Sequence, residues 1–287
     1  MEDKTKSIDK YICWYVTIIW RPNTWKSTFI NTLIGEKVSI VSPTPQTTRK
    51  KVLWMYNDDE SQIIFLDTPG IHKWQYKLND KLNEEALWSI ESADVLLYFV
   101  DPTRPQWEEE VFLKWVFESV KKPKLKVFTK ADIQKAEEPE SFSISSKTKH
   151  GFDELLVKIK SLLPNWPLLY PQDFYTYQTI PERAEEIVRE KIFLHLKEEI
   201  PHSSYVTVDE VEDTGKMLKI LSYIFVESES QKKIIIGKWG AILTMLWKEA
   251  RLELEGIFWK KVFLSLRVKV APKWRQDEGI ISRLLSK

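Results

Sequence analysis

Three short segments of this chain carry residue types that could handle a nucleoside triphosphate. The first is Trp20-Arg21-Pro22-Asn23-Thr24-Trp25-Lys26-Ser27-Thr28, placed between an apolar run and a helix-compatible stretch. A phosphate-binding loop belongs at such a strand-to-helix turn, where backbone N–H groups and the helix N-terminus face the anion. Lys26 would reach the β- and γ-phosphates, and the Ser27 hydroxyl would hold Mg2+. The pattern G-x-x-x-x-G-K-[ST] has tryptophan at both glycine places, Trp20 and Trp25, so the segment alone reads equally as a basic helix start. The second segment, Asp67-Thr68-Pro69-Gly70, follows the apolar run Gln62–Leu66. A carboxylate there can hold Mg2+ through water, and the Gly70 N–H can meet a γ-phosphate with no Cβ in the way. The third, Thr129-Lys130-Ala131-Asp132, is close to N-K-x-D, with Thr129 where that motif has asparagine. Its aspartate would accept two hydrogen bonds from the N–H groups of guanine. Adenine would present an acceptor at the same edge, so the site selects by leaving polar groups unpaired. Ser145-Ser146-Lys147 stands where a further loop would back the guanine oxygen.

The elements that must position these segments are legible as a pattern. Tyr15–Ile19, Gln62–Leu66 and Val95–Val100 are apolar runs of the kind buried in parallel sheets, with Leu125–Phe128 and Phe142–Ile144 as shorter strands. Helical periodicity over Ser27–Ile34, Lys77–Ile90, Glu108–Val120 and Phe152–Leu163 separates them. Strands alternating with helices predict an α/β domain, a doubly wound and mostly parallel sheet, over residues 10–165. Pro164, Pro167 and Pro171 break the pattern and mark a linker over 166–180. Beyond it, Glu182–Lys197 and Ile242–Glu255 read as helices, and Tyr205–Glu212, Leu218–Val226 and Lys261–Val270 as strands. That order, α-β-β-α-β, predicts a small α+β domain over 181–287.

Composition narrows the partners. Of 287 residues, 43% are hydrophobic and 30% charged, as in globular proteins. No apolar run approaches the roughly 18–20 residues that span a bilayer. Met1–Lys10 mixes acids and bases and lacks the apolar core of a signal peptide. A single cysteine, Cys13, rules out an internal disulfide framework and points to a reducing cytosol. The net charge of +1 conceals an asymmetry: residues 231–287 hold 13 Lys/Arg against 5 Asp/Glu, a local balance of +8. A basic end on an otherwise acidic chain points to a polyanionic partner. Within that end lies Ile236-Gly237-Lys238-Trp239-Gly240, a G-x-x-G segment between an apolar stretch and a helix carrying Lys248 and Arg251. Such a loop lets an RNA backbone approach closely while flanking elements read a few bases.

Taken together, residues 20–287 resemble the bacterial Era family of GTPases, a P-loop GTPase domain followed by a C-terminal KH domain. The resemblance implies GTP hydrolysis with Mg2+, and with K+ through Asn23. It implies that Thr48, in the switch-like segment Gln46–Arg49, joins Ser27 and Asp67 at the metal, and that Asn23, Lys26 and Thr48 serve hydrolysis. Ile71 stands where Ras-like proteins carry a water-positioning glutamine, so no general base is assigned. The implied partners are the 3′ end of 16S ribosomal RNA and the 30S subunit during its assembly. A cytoplasmic monomer with peripheral attachment to the inner face of the membrane is implied as well. One phosphate loop and one Asp67–Gly70 segment disfavour a tandem GTPase.

One feature conflicts with this picture. Glycine numbers 8, where an average of about 7% gives roughly 20, and tryptophan numbers 13. Trp14, Trp20, Trp25, Trp54, Trp166, Trp247 and Trp259 fall where the family pattern has glycine, as Trp239 does in one common form of its loop. Trp274 falls where the family itself has tryptophan. A phosphate loop needs glycine to turn at positive φ and touch its ligand. Two readings stay open here. A UGA codon that the cell reads as glycine has been rendered as tryptophan, or the chain is a non-hydrolysing RNA-binding scaffold on a GTPase fold.

Overall fold

The computed structural model describes residues 11–20, 26–35, 37, 52–67, 84, 87–105, 108–136 and 138–285. Arg21–Trp25, Thr48 and Thr68–Ile71, with the side chain of Asp67, lie outside the described residues. The chain divides into two compact units, with the boundary between Tyr177 and Gln178.

The first unit is a six-stranded sheet in the order β2-β3-β1-β4-β5-β6. Its strands are β1 (Ile12–Trp20), β2 (Val52–Asn57), β3 (Ser61–Asp67), β4 (Val95–Val100), β5 (Lys124–Phe128) and β6 (Ser141–Ser143). All neighbouring pairs are parallel except β2 with β3. The helices are α1 (Lys26–Ile34), α2 (residues 84 and 87–92), α3 (Glu108–Ser119) and α4 (Phe152–Leu162). Alternation along β1 shows why both faces need a cover. Val16, Ile18 and Trp20 pack with Phe29 and Ile30 of α1 and Phe152, Leu155 and Ile159 of α4. Ile19 points the other way, into Ile90, Leu113 and Val116 of α2 and α3. Helices on both faces of a parallel sheet are the doubly wound arrangement that the sequence predicts.

The sequence reading did not include β2. Its signal was the polar turn Asn57–Glu60 between two apolar runs. Asp58 closes that turn by accepting hydrogen bonds from the N–H groups of Glu60 and Ser61 and from the Ser61 hydroxyl. The Pro-rich segment through residue 177 is laid along this sheet. Trp166 N–H donates to the Tyr11 carbonyl at 2.8 Å, and Met55 N–H donates to that of Tyr175 at 3.1 Å. Buried Gln62 is satisfied on both ends: its Oε1 accepts from the N–H groups of Leu169 and Tyr170, and its amide donates to Asn57 Oδ1 and the Tyr170 carbonyl. A buried amide so paired fixes the strand beside it at little cost.

The second unit has a three-stranded sheet, β7 (Tyr205–Asp213), β8 (Met217–Val226) and β9 (Lys261–Val270), in that order. β7 and β8 form an antiparallel hairpin, and β9 runs parallel to β8. A parallel neighbour requires a crossover. Here it is built from α7 (Glu229–Ile236), a 3-10 turn (Lys238–Gly240) and α8 (Ala241–Phe258). α5 (Ile180–His195) opens the unit with a capping box, Thr179 and Glu182 each accepting from the other's backbone N–H. Ile187, Val188 and Ile192 of α5 and Leu246, Ala250 and Leu254 of α8 meet Leu218, Ile220 and Ile224 of β8 in one core. After β9 the chain returns through Trp274, fully buried, whose indole N–H donates to the Ser203 carbonyl beside α6 (Ile200–Ser203). Arg275 pairs with both oxygens of Glu227, and α9 (Glu278–Leu285) follows. The expected α-β-β-α-β order is present, with α6, α7 and α9 added.

Candidate functional site

In an open parallel sheet, ligands lie outside the carboxyl ends of the strands. The register here brings four of the sequence-predicted segments to that edge. Thr17 of β1 pairs with Leu66 of β3, Trp20 with Phe99 of β4, Val100 with Phe128 of β5, and Phe128 with Ser143 of β6. Trp20, Asp67, Thr129 and Ser145 therefore leave the sheet from the same edge. Lys26 and Ser27, both buried, open α1 directly beyond β1. Thr28 follows them on the helix.

The guanine-type segments are tightly tied. Thr129 donates from its N–H at 2.9 Å and its hydroxyl at 3.2 Å to the Val100 carbonyl, anchoring the loop start to β4. Ala131 N–H donates to the Ile144 carbonyl at 3.0 Å, which joins this loop to the one after β6. Ser145 is fully buried, and its hydroxyl donates to Asp132 Oδ1 at 2.6 Å. That hydrogen bond holds the exposed Asp132 carboxyl below the usual carboxylate range, so it is ionised at neutral pH. The carbonyl of Ser146 accepts from the Thr32 hydroxyl of α1 at 3.2 Å, linking the segment to the helix that starts with Lys26. Lys147 is exposed. Gly151, at φ 73°, closes the loop where a Cβ would lie 2.3 Å from the Ser143 carbonyl oxygen.

Asp101 is a residue that the motif reading missed, although an acidic residue directly after the buried run Val95–Val100 was its signal. Its Oδ2 meets Lys130 Nζ at 2.7 Å, and its Oδ1 accepts from the Thr103 hydroxyl at 2.6 Å. Lys130 itself adopts φ 57°, in the left-handed region. Burial alone would raise the Asp101 carboxyl, but the bonds from Lys130 and Thr103 outweigh it and hold the group low.

At the phosphate end the geometry differs. Trp20 is buried in the sheet core, and Lys26 Nζ rests over its ring, 3.7 Å from the centroid. A cation over an indole face is drawn to the ring. The amine expected to reach a phosphate is thus held on the residue at the first glycine place.

In the second unit, Ile236 ends α7 and Gly237 turns the chain at φ 72°, ψ 175°. A Cβ on Gly237 would lie 2.7 Å from Ile242, so only glycine fits. Lys238 and Trp239 project into solvent, and Gly240, at φ 79°, starts α8. Lys248 is exposed on α8. Arg251, by contrast, is turned along the helix to Glu255 at 2.9 Å and lies 5.4 Å from the centroid of the Trp247 ring.

Two family models match these units: one described as a 50S ribosome-binding GTPase over residues 15–130, and a KH domain over residues 199–275. The GTPase Era of Treponema denticola is 42% identical over 289 residues, covering 94% of this chain and 98% of that protein. This chain belongs to the Era family of GTPases. The Era of Thermotoga maritima is 38% identical, over 93% of this chain and 94% of its own. A crystal structure of Era in complex with MgGDPNP and nucleotides 1506–1542 of 16S ribosomal RNA superposes with a TM-score of 0.90 at 37% identity. That match covers 96% of this chain and 98% of that one. A point variant of Aquifex aeolicus Era bound to GDP and aluminium fluoride matches over the same shares with 0.89 at 38%. The resemblance drawn from the motifs is thereby the family itself. Among the described residues of this Era-family chain, no helix is long and apolar enough to cross a membrane.

Proposed function

We propose that this chain binds GTP at the carboxyl edge of its six-stranded sheet, hydrolyses it to GDP, and uses its second unit to grip the 3′ end of 16S ribosomal RNA during 30S assembly. The observation that carries the reading is the juxtaposition of Asp132, held by Ser145, with the helix start at Lys26 and Ser27, across loops tied by Thr32 and Ala131. Residues 10–165 form the GTPase domain in this reading, 166–180 the connection, and 181–287 the RNA-binding domain. Asp132 accepts from the two N–H groups of guanine, and Ser145–Lys147 back its oxygen. Lys130, steadied by Asp101, lies along the nucleotide. Thr129–Asp132 and Asp67–Ile71 complete the pocket with residues 20–28. The Era structure holding a 16S ribosomal RNA segment supports the RNA partner, with Ile236–Gly240 and Lys248 as the contact and Arg251 acting through the helix. A cytoplasmic monomer, touching the membrane only peripherally, fits the same reading.

The metal donors present suit Mg2+. Ser27 opens the helix that follows β1, and Asp67 ends the neighbouring strand β3; a hydroxyl and a carboxylate are hard oxygen donors, the type this ion takes. Thr48 would complete the set. Bound there, the ion neutralises charge that develops on the phosphate oxygens. Lys26 adds a second positive charge, and Asn23 would serve a K+ ion. The chemistry needs no covalent step from the chain, because positioning and electrostatics suffice for phosphoryl transfer to water.

GTP binding with Mg2+ and K+ should be measured on the chain as written and on the double variant Trp20→Gly/Trp25→Gly. Binding and hydrolysis by the glycine form alone are the expected result. Equal binding by both forms overturns this account of the phosphate loop. Binding by neither makes the protein an RNA-binding scaffold on a GTPase fold.

A further inference from the structure

We infer that Trp239, Trp259 and Trp14, and with them Trp20 and Trp25, occupy positions where the cell that makes this protein inserts glycine. The composition raises the idea, and the backbone supplies independent grounds. Trp239 adopts φ 57°, ψ 22°, and Trp259, which ends α8, adopts φ 52°, ψ 33°. That left-handed region is disfavoured for any residue with a Cβ and open to glycine. A helix ending in the left-handed conformation commonly uses glycine for it. Nothing offsets the strain through packing, since Trp239 is 94% and Trp259 91% exposed. A large indole that is strained and yet solvent-exposed gains neither burial nor fit.

Trp14 fails in a different way. Its indole N–H is buried with no hydrogen-bond partner among the described residues, although buried indoles nearly always find one. Trp20 places its ring under Lys26 Nζ, at the first glycine place of a phosphate-loop pattern. Trp274 shows how a tryptophan at home in this fold behaves: fully buried, with its N–H on the Ser203 carbonyl and its ring 4.7 Å from that of Tyr205. Trp54 and Trp247 are also accommodated, Trp54 by burial and Trp247 by donating to the Leu264 carbonyl. The anomaly is therefore confined to particular sites and is not shared by every tryptophan, nor by every one at a family-glycine place. A stop-type codon reassigned to glycine, such as UGA, accounts for all five sites and raises the glycine count from 8 toward the roughly 20 expected. The consequence deepens the proposed function: both the phosphate loop and the RNA-binding loop become glycine loops.

The test is sequencing by mass spectrometry of the protein isolated from its native cells. Cleavage after glutamate yields the peptide Gly256–Glu278, which carries positions 259 and 274 together. Tryptic peptides Tyr11–Lys26 and Trp239–Lys248 cover the remaining positions. Glycine at 259 beside tryptophan at 274, with glycine at 14, 20, 25 and 239, is the expected result. Tryptophan at 239 and 259 overturns the inference. Because no nucleotide enters this measurement, a glycine result combined with absent GTP binding would defeat the GTPase proposal alone.

Discussion

Replacing Asp132 with asparagine should exchange the base that this protein prefers while leaving its fold intact. The carboxylate has one oxygen on the Ser145 hydroxyl at 2.6 Å and is otherwise exposed. An asparagine oxygen can keep the Ser145 bond, so the loop retains its shape and the amide N–H2 takes the free position. Guanine then meets a donor where it needs an acceptor. Two hydrogen bonds to a charged group are lost, each about 1.5–3 kcal/mol. The sum, about 3–6 kcal/mol, corresponds to a GTP affinity about 10²- to 10⁴-fold weaker. Xanthine carries a carbonyl where guanine has its exocyclic amine, so xanthosine triphosphate should gain relative to GTP. The assay is equilibrium binding of both nucleotides to Trp20→Gly/Trp25→Gly chains with and without Asp132→Asn, accompanied by thermal unfolding. GTP affinity within threefold of the parent would refute the assignment of Asp132 to the base. A large fall in melting temperature would show that the carboxylate serves the fold instead.

Three further outcomes follow from the structure. Asp101 has its carboxyl held low by Lys130 and Thr103 against the opposing effect of burial, so its contribution to stability is present above the unfolded aspartate value of about 3.9 and is lost as pH falls through the lower folded value. Asp101→Asn should therefore flatten the acid limb of the stability profile below about pH 4, as followed by circular dichroism, and an unchanged limb would contradict the pairing. Trp239→Gly and Trp259→Gly should each stabilise the chain by about 1 kcal/mol, because relief of about 1–2 kcal/mol at positive φ outweighs the added freedom of glycine in the unfolded chain. Calorimetry should show a rise of about 4 °C for each, and a fall at both would contradict the strain argument. Lys238→Ala should weaken RNA binding about uniformly across sequences and reduce the slope of log affinity against log salt by about one; a selective loss for one base would assign Lys238 to base reading instead.

Much of the fold was legible because its signals are local. A parallel strand buried on both faces must be apolar throughout, and Val95–Val100 is recognisable for that reason alone. Phosphate and guanine loops are contiguous because backbone N–H groups and one or two side chains do the binding, so Lys26-Ser27 and Thr129–Asp132 stand out in the chain. The structure adds elements whose evidence is distributed. β2 is stabilised by its hairpin partner β3 and also by the segment ending at Tyr177, which is remote in sequence. α7 begins at a Ser228 cap whose hydroxyl accepts from the Gln231 N–H; the Ser-x-x-Gln spacing was its local signal, but the helix is only eight residues long.

By itself the sequence determined which segments are candidates for the chemistry, in what order, and that a basic G-x-x-G loop follows a nucleotide-type domain. Composition also showed a shortage of glycine beside an excess of tryptophan. Only the tertiary structure separated Trp14, Trp239 and Trp259 from Trp54 and Trp247, because backbone φ and the fate of an indole N–H depend on surroundings far away in the chain. It alone paired Asp101 with Lys130, Thr32 with the Ser146 carbonyl, and Ser145 with Asp132. These partners lie 29, 114 and 13 residues apart. The physical reason is the sheet: strand order and register set which loop ends meet, and a linear pattern carries no record of which strands will be neighbours.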